Sequence, residues 1–202
     1  MNNHPFKNVL KLNKILVFKT CLLGITSMMV LFGGPVQAQT QGGFFAEPNP
    51  DFYPERSVVS TITANIAYQG YGESQAYFGQ GEYEIFLDNV DGVLDRPVIV
   101  LDGFDPGDGR GIGALYASLS YGGQNLADEL RDLGFDIVIL NAPNYTTDGY
   151  DINGGGDFIQ RNAMVLVALI QEINAQKQGN EELVVLGPSM GGLIARYALA
   201  YM

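Results

Sequence analysis

The stretch of sequence that decides the fold is Leu183–Tyr197, which reads Leu-Val-Val-Leu-Gly-Pro-Ser-Met-Gly-Gly-Leu-Ile-Ala-Arg-Tyr. Its apolar start predicts a buried strand, and the residues from Met190 onward predict a helix. Gly187 and Gly191 flank Ser189 at positions where a bulky side chain would clash in a tight turn. A serine in such a strained strand-to-helix turn, of the form Gly-x-Ser-x-Gly, has its hydroxyl held clear of the backbone.

Ser189 therefore stands at the N-terminal end of the predicted helix, where free amides and the helix dipole favour negative charge. A carbonyl attacked by Ser189 would place its developing oxyanion near the backbone amide of Met190. The alternative is a glycine-rich turn with an incidental serine. The apolar strand before the turn and the helix after it favour a nucleophile.

The turn Gly187–Gly192 and the order of elements resemble an α/β-hydrolase of the lipase and esterase type. The segment Ser189–Tyr197 is similar to the nucleophile turn and following helix of lipases and of PGAP1-like deacylases. The resemblance covers about residues 96–202 and implies the N-terminal half of such a domain. It also implies acyl transfer, in which Ser189 attacks an ester carbonyl and water later releases the acyl group.

The resemblance extends to an earlier turn, Leu101–Pro106, which is similar to the His-Gly-Phe turn of many lipases. Asp102 stands where histidine is usual. The family pattern implies that the backbone amide of Phe104 is the second oxyanion donor, beside that of Met190. A plain turn at the end of a strand is the alternative.

A base for Ser189 is missing from this sequence. The only histidine is His4, and the family pattern implies a triad acid and a histidine on later strands. We therefore expect this chain to be a fragment that lacks both and is inactive alone. The alternative is a non-catalytic module that keeps a hydrolase fold for surface binding or adhesion, and downstream sequence would separate the two.

Strands and helices alternate from Arg96 onward, and the strands are apolar on both faces. This pattern predicts an α/β fold with a mostly parallel sheet, helices on both faces, and an end just after the helix that follows Ser189. A loop or hairpin is expected at 68–83, and a long loop is expected at 141–156. The predicted strands are Val58–Ala67, Tyr83–Val90, Arg96–Asp102, Phe135–Leu140 and Leu183–Leu186, and the predicted helices are Leu126–Leu133, Asp157–Lys177 (capped by Asp157) and Met190–Tyr201.

The N-terminus has the pattern of a secretory signal, with a basic start, an apolar run from Cys21 to Phe32, and small residues before a cleavage site after Ala38. The domain plan is thus a signal peptide at 1–38, a flexible leader at 39–56 and the hydrolase portion at 57–202. The mature protein would be secreted or periplasmic, without a stable membrane span. An uncleaved anchor is the alternative.

Cleavage removes four of the eleven basic residues and none of the 22 acidic ones, and it also removes Cys21, the only cysteine. The mature chain is therefore strongly acidic and without disulfides, so binding to nucleic acid is disfavoured. The expected partner is an ester or lipid-like small-molecule substrate, with no cofactor.

Two acidic or glycine-rich patterns in the loop after Leu101 invite other interpretations. Asp102, Asp105 and Asp108 suggest calcium, but their spacing does not fit a calcium loop, so solvated carboxylates and no metal site are expected. The alternating glycines of 107–113 suggest phosphate binding, but no Gly-Lys-Ser/Thr follows. A mobile lid over Ser189 is the favoured interpretation.

Overall fold

The computed structural model describes residues 58–202 and the backbone of Leu16–Val17. The strands are β1 Leu16–Val17, β2 Ser60–Tyr68, β3 Tyr77–Phe86, β4 Pro97–Leu101, β5 Ser120–Tyr121, β6 Gln124–Asn125, β7 Asp136–Asn141, β8 Asn144–Thr147, β9 Tyr150–Asn153 and β10 Val184–Leu186. The helices are α1 Gly111–Ser118, α2 Leu126–Asp132, α3 Ile159–Gln176 and α4 Met190–Tyr201, with a 3₁₀ turn at Gly154–Gly156. The predicted leader lies outside the described residues, as does all of the predicted signal except β1.

The central sheet has six strands in the order β1-β10-β4-β7-β3-β2. Neighbouring strands from β1 to β7 pair in parallel, whereas β3 is antiparallel to both β7 and β2. Of the six, β3 alone runs against the others. The fold is therefore α/β with a mostly parallel sheet, as the sequence predicts.

Helices cover both faces of this sheet because the residues of its central strands alternate in direction. Ile99 and Leu101 belong to the core under α3 and α4, whereas Val98 and Val100 belong to the core under α1 and α2. All four side chains are buried, so β4 is apolar along its whole length. Such double burial is typical of strands in a parallel sheet. Among helices of the described residues, none is long and apolar enough to cross a bilayer.

The expectation of a long loop at 141–156 is wrong, because β8 and β9 form a hairpin there. The turn between them is Asp148-Gly149, and both residues have positive φ, 50° and 75°. An Asp-Gly pair is a strong signal for such a two-residue turn, because both positions require the left-handed region. The signal was in the sequence and lay inside a stretch rich in polar residues.

The second strand is displaced from its predicted place at Tyr83–Val90. It begins at Tyr77, inside the stretch expected to be a loop or hairpin, and it pairs antiparallel with β2. Helix α3 packs directly on its backbone. A Cβ added at Gly79 or Gly81 would lie 2.6 or 2.8 Å from the side chain of Val165. These glycines leave room for the helix. Because glycine is uncommon inside strands, they also make this segment look like a loop in the sequence.

Two further predictions need correction near the helices. The segment expected to be a lid contains α1, whose residues Ile112 and Leu115 are buried against the sheet. Asp157 does not cap α3, whose N-cap residue is Phe158. Its carboxylate instead accepts the Phe158 amide at 2.7 Å and pairs with Arg161 at 2.8 Å.

Candidate functional site

Ser189 occupies the turn between β10 and α4, and it is exposed. Its backbone has φ 51° and ψ −126°, so it is neither helical nor extended. Among described residues other than glycine, only Asp108 and Asp148 also have positive φ, and aspartate tolerates that region better than serine. A conformation of this kind costs about 1–3 kcal/mol and persists where the surrounding structure imposes it.

The glycines around Ser189 have a steric reason to be there. A Cβ on Gly187 would lie 2.5 Å from the backbone of Gly191, and a Cβ on Gly191 would lie 2.6 Å from the backbone oxygen of Asp102. No side chain fits at either position without moving the backbone. The turn is therefore packed against both α4 and the end of β4.

The turn after β4 reaches Ser189 directly. β4 and β10 are parallel neighbours, so their carboxyl ends lie side by side. A Cβ added at Gly103 would lie 3.2 Å from the Ser189 Cβ and 3.6 Å from its Oγ. The structure thus brings together Ser189, Met190 and the Gly103–Phe104 turn, the parts that the sequence proposed as one site.

The amides around this junction divide into paired and unpaired groups. The Gly103 amide donates to the Asp102 carboxylate at 2.5 Å, and the Asp105 amide donates to the Gly155 carbonyl at 3.0 Å. Within residues 58–202, the amides of Phe104 and Met190 have no hydrogen-bond acceptor. Because unpaired amides are costly unless water or a ligand accepts from them, these two are available to an anion.

Asp102 is buried and does not match the expectation of a solvated loop carboxylate. Its Oδ1 lies 2.8 Å from Nη2 of Arg110. Burial raises the pKa of Asp102, and the Arg110 guanidinium opposes that rise without cancelling it. Asp102 is thus held as half of an ion pair directly beside the Gly103 turn.

The rest of the loop is attached to its neighbours, which contradicts the expectation of a mobile lid. Asp105 accepts from the Arg110 amide at 2.9 Å, and Asp108 accepts from the side-chain amide of Asn141 at 3.0 Å. The Gly107 amide donates to Asn153 at the end of the β8–β9 hairpin. With an arginine among these carboxylates, the set does not resemble a cation site.

Arg110 is the residue at this site that sequence reasoning missed. The signal was present, because Arg110 is the only basic residue between Arg96 and Arg131, and it follows three aspartates of the same loop. A single cation among several loop carboxylates is a candidate for pairing with one of them.

A cavity lies under the turn, between the ends of β4 and β7 and the first turns of α3 and α4. Its volume is about 20 Å³, enough for about one water molecule. It is lined by Gln80, Leu101, Asp102, Gly103, Leu140, Asn141, Ala142, Asn162, Val165, Met190 and Ile194. A molecule much larger than water does not fit there.

A second carboxylate group lies at the opposite end of the same strands. Carboxylate oxygens of Asp88, Asp95 and Asp136 lie within 4.8 Å of one another. Asp136 is fully buried and accepts the amides of Asp88 at 3.1 Å, Asp95 at 2.9 Å and Arg96 at 3.0 Å. Burial raises the pKa of Asp136 despite these three hydrogen bonds.

No protein-family model and no curated protein matches this sequence. Among solved structures, the chain is similar to an α/β serine hydrolase without a lid from Xanthomonas campestris, with 18% identity and a TM-score of 0.47. It is also similar to proteins described as hydrolases from Agrobacterium vitis (20%, 0.42) and Pseudomonas aeruginosa (16%, 0.38). The match covers 74%, 71% and 71% of this chain but only 58%, 45% and 38% of those proteins.

Proposed function

We propose that this chain is part of a secreted serine hydrolase that cleaves carboxylic esters, of the lipase and esterase type. Ser189 is its nucleophile, and the backbone amides of Met190 and Phe104 hold the oxyanion. One observation carries the proposal: an exposed serine is held at positive φ at the start of a helix, beside two amides that have no acceptor in the described part of the chain. Strain of this kind collects at functional sites.

The reaction begins with attack of the Ser189 hydroxyl oxygen on the ester carbonyl carbon. The hydroxyl proton passes to a base, and the carbonyl oxygen becomes an oxyanion that accepts from the two amides. The C–O bond to the alcohol then breaks, and the alcohol leaves with the proton. Water repeats the sequence on the acyl-enzyme, releasing the acid and restoring Ser189.

Residues 58–202 contain no histidine and so offer Ser189 no imidazole base. We propose that a later part of the same protein supplies a histidine and a carboxylate, as in the lipases and PGAP1-like deacylases that the turn resembles. Residues 1–202 would then be inactive by themselves. The strained turn at Ser189 and the loop after β4, held by the Asp102–Arg110 ion pair, would already be in place.

The test is ester hydrolysis by the whole protein as its gene encodes it. We expect turnover of p-nitrophenyl esters and a loss of about 10³-fold or more in Ser189→Ala. Ser74→Ala, which changes an exposed serine in the β2–β3 connection, is the matched control and should match the wild type. Equal activity of the Ser189→Ala and wild-type proteins would refute the proposal.

The second candidate is a hydrolase-like fold that binds without catalysis. The absence of a histidine from residues 58–202 favours it. It predicts that the complete protein has no histidine and carboxylate placed near Ser189, and that no ester is hydrolysed.

A further inference from the structure

Arg110 is the centre of the contacts that hold the turn after β4. Its Nη2 lies 2.8 Å from Asp102 Oδ1 and donates to the Phe104 carbonyl at 3.0 Å. Its backbone amide donates to Asp105 Oδ2 at 2.9 Å. Arg110, itself half-buried, thus binds Asp102 and Phe104 through its side chain and Asp105 through its backbone amide.

These contacts fix the peptide planes on either side of the Phe104 amide. The plane before Gly103 is held because its N–H donates to Asp102, which Arg110 binds. The plane after Phe104 is held at both ends, by Arg110 at its carbonyl and by Gly155 at the Asp105 amide. The Phe104 N–H, which has no acceptor within residues 58–202, belongs to the peptide plane between these two, so the contacts limit how far it can turn.

Arg110 also balances a charge that would oppose the reaction. Asp102 is buried next to Gly103, and Gly103 approaches Ser189 closely. A lone carboxylate there would raise the energy of a second negative charge, the oxyanion. The guanidinium offsets that repulsion while it orients the turn.

We infer that Arg110 is a positioning residue, which aims the Phe104 amide at the oxyanion and neutralises Asp102 beside it. The inference rests on the proposed function, since it concerns the same site.

The experiment compares Arg110→Ala and Arg110→Gln in the whole protein, with Arg96→Ala as the matched control. Arg96 also donates to backbone carbonyls, those of Leu133 and Gly134, but it lies at the other end of β4. We expect kcat to fall about 10- to 100-fold in both Arg110 variants, with KM within about twofold. Arg96→Ala should keep its kcat.

Two further readouts separate positioning from general stability. Free guanidinium ion should restore part of kcat in Arg110→Ala and not in Arg96→Ala. Hydrogen exchange measured by mass spectrometry should be faster at residues 102–106 in the Arg110 variants and unchanged there in Arg96→Ala. Ser189→Ala and fluorophosphonate labelling of the wild type are run beside them.

Each outcome supports or overturns the inference. A folded Arg110 variant with wild-type kcat overturns it, while labelling of Ser189 leaves the proposed function standing. Faster exchange without a change in kcat reduces Arg110 to a structural residue, and failure of both Arg110 variants to fold makes it a folding residue; either result overturns the inference. A wild-type protein that is not labelled at Ser189 defeats the proposed function itself, and the inference with it.

Discussion

A buried aspartate lies at each end of strands β4 and β7, but the two carboxylates bind the nearby backbone amides differently. At the N-terminal end, the carboxylate of Asp136 accepts three backbone amides. At the C-terminal end, Asp102 accepts one amide, that of Gly103, and pairs with Arg110 through the same oxygen. The comparison teaches that one end is closed by its carboxylate, whereas at the other end the Phe104 and Met190 amides have no acceptor among residues 58–202.

The largest expected effect is at the open end, in Gly191→Ala. The added Cβ meets the Asp102 backbone oxygen at 2.6 Å and Leu101 Cβ at 3.1 Å. Alanine improves helix propensity by about 1 kcal/mol, but forcing the backbones apart should lower the free energy of unfolding by about 3 kcal/mol. Chemical denaturation of the variant measures this loss.

The matched control is Gly109→Ala, where the new carbon meets only a side-chain oxygen of Asp105 at 3.3 Å. We expect a change of less than about 1 kcal/mol there. Equal stability of Gly191→Ala and Gly109→Ala would mean that the turn around Ser189 is not packed against β4 as described.

Asp136→Asn tests the N-terminal end of β4 and β7 by changing the carboxylate that accepts three amides. One carboxylate oxygen becomes an NH₂ group that faces backbone donors, so at least one buried amide loses its acceptor. We expect a loss of about 1–3 kcal/mol in the free energy of unfolding, with the rate of fluorophosphonate labelling of Ser189 unchanged. Asp132→Asn, at an exposed carboxylate that accepts from Asn89, is the control. Slower labelling in Asp136→Asn would show that the two ends are not independent.

Gly103→Ala tests the C-terminal end of the strands with a weaker steric clash than that of Gly191→Ala. Its Cβ would lie 3.2 Å from Ser189 Cβ, so the serine must move by a few tenths of an ångström. We expect stability within about 1 kcal/mol of the wild type, and ester turnover reduced about 10-fold because the serine is displaced. Turnover equal to the wild type would contradict the close approach of the two turns.

The smallest effect is a pH dependence shared by both ends. Burial raises the pKa of Asp102 and of Asp136, and likewise that of Asp157 at the start of α3. Carboxyls whose folded-state pKa is raised bind protons more tightly in the native state, so their contribution to stability grows as pH falls from neutrality towards the unfolded value of about 3.9.

Asp88 opposes this trend. Burial would raise its pKa, but hydrogen bonds from the Asp91, Val90 and Gly92 amides outweigh burial and lower it. Its contribution is lost only below the ordinary range of aspartate. Thermal melting between pH 8 and pH 4 should therefore show Tm rising toward mildly acidic pH, and a Tm that falls steadily over that range would contradict the assignment.

The sequence predicted correctly those strands and helices whose hydrophobic pattern matches their place in the core. Val98–Leu101 and Val184–Leu186 are apolar throughout, and α4 has the bounds that its pattern predicts. The pattern failed where glycine took the place of a core side chain, as at Gly79 and Gly81. It also failed in polar segments, where the Asp148-Gly149 turn organises a hairpin.

The turn that carries Ser189 could be predicted from the sequence, but the side chains that hold the neighbouring Asp102–Asp105 turn could not. The spacing of glycines about Ser189 has a local steric cause, so it is visible in sequence. The pairing of Arg110 with Asp102 depends on where a loop folds back, which no local pattern specifies. The burial of Asp102 follows from the same folding, so it was mistaken for a solvated residue.

The most direct test of the central claim is the mass of the whole native protein before and after treatment with a fluorophosphonate, with peptide mapping of any adduct. We predict a gain of one phosphonyl group, located on Ser189, in the folded protein and not after heat unfolding. A folded protein that gains no mass, or gains it at another residue, would contradict the assignment of Ser189 as a nucleophile held ready by the strained turn.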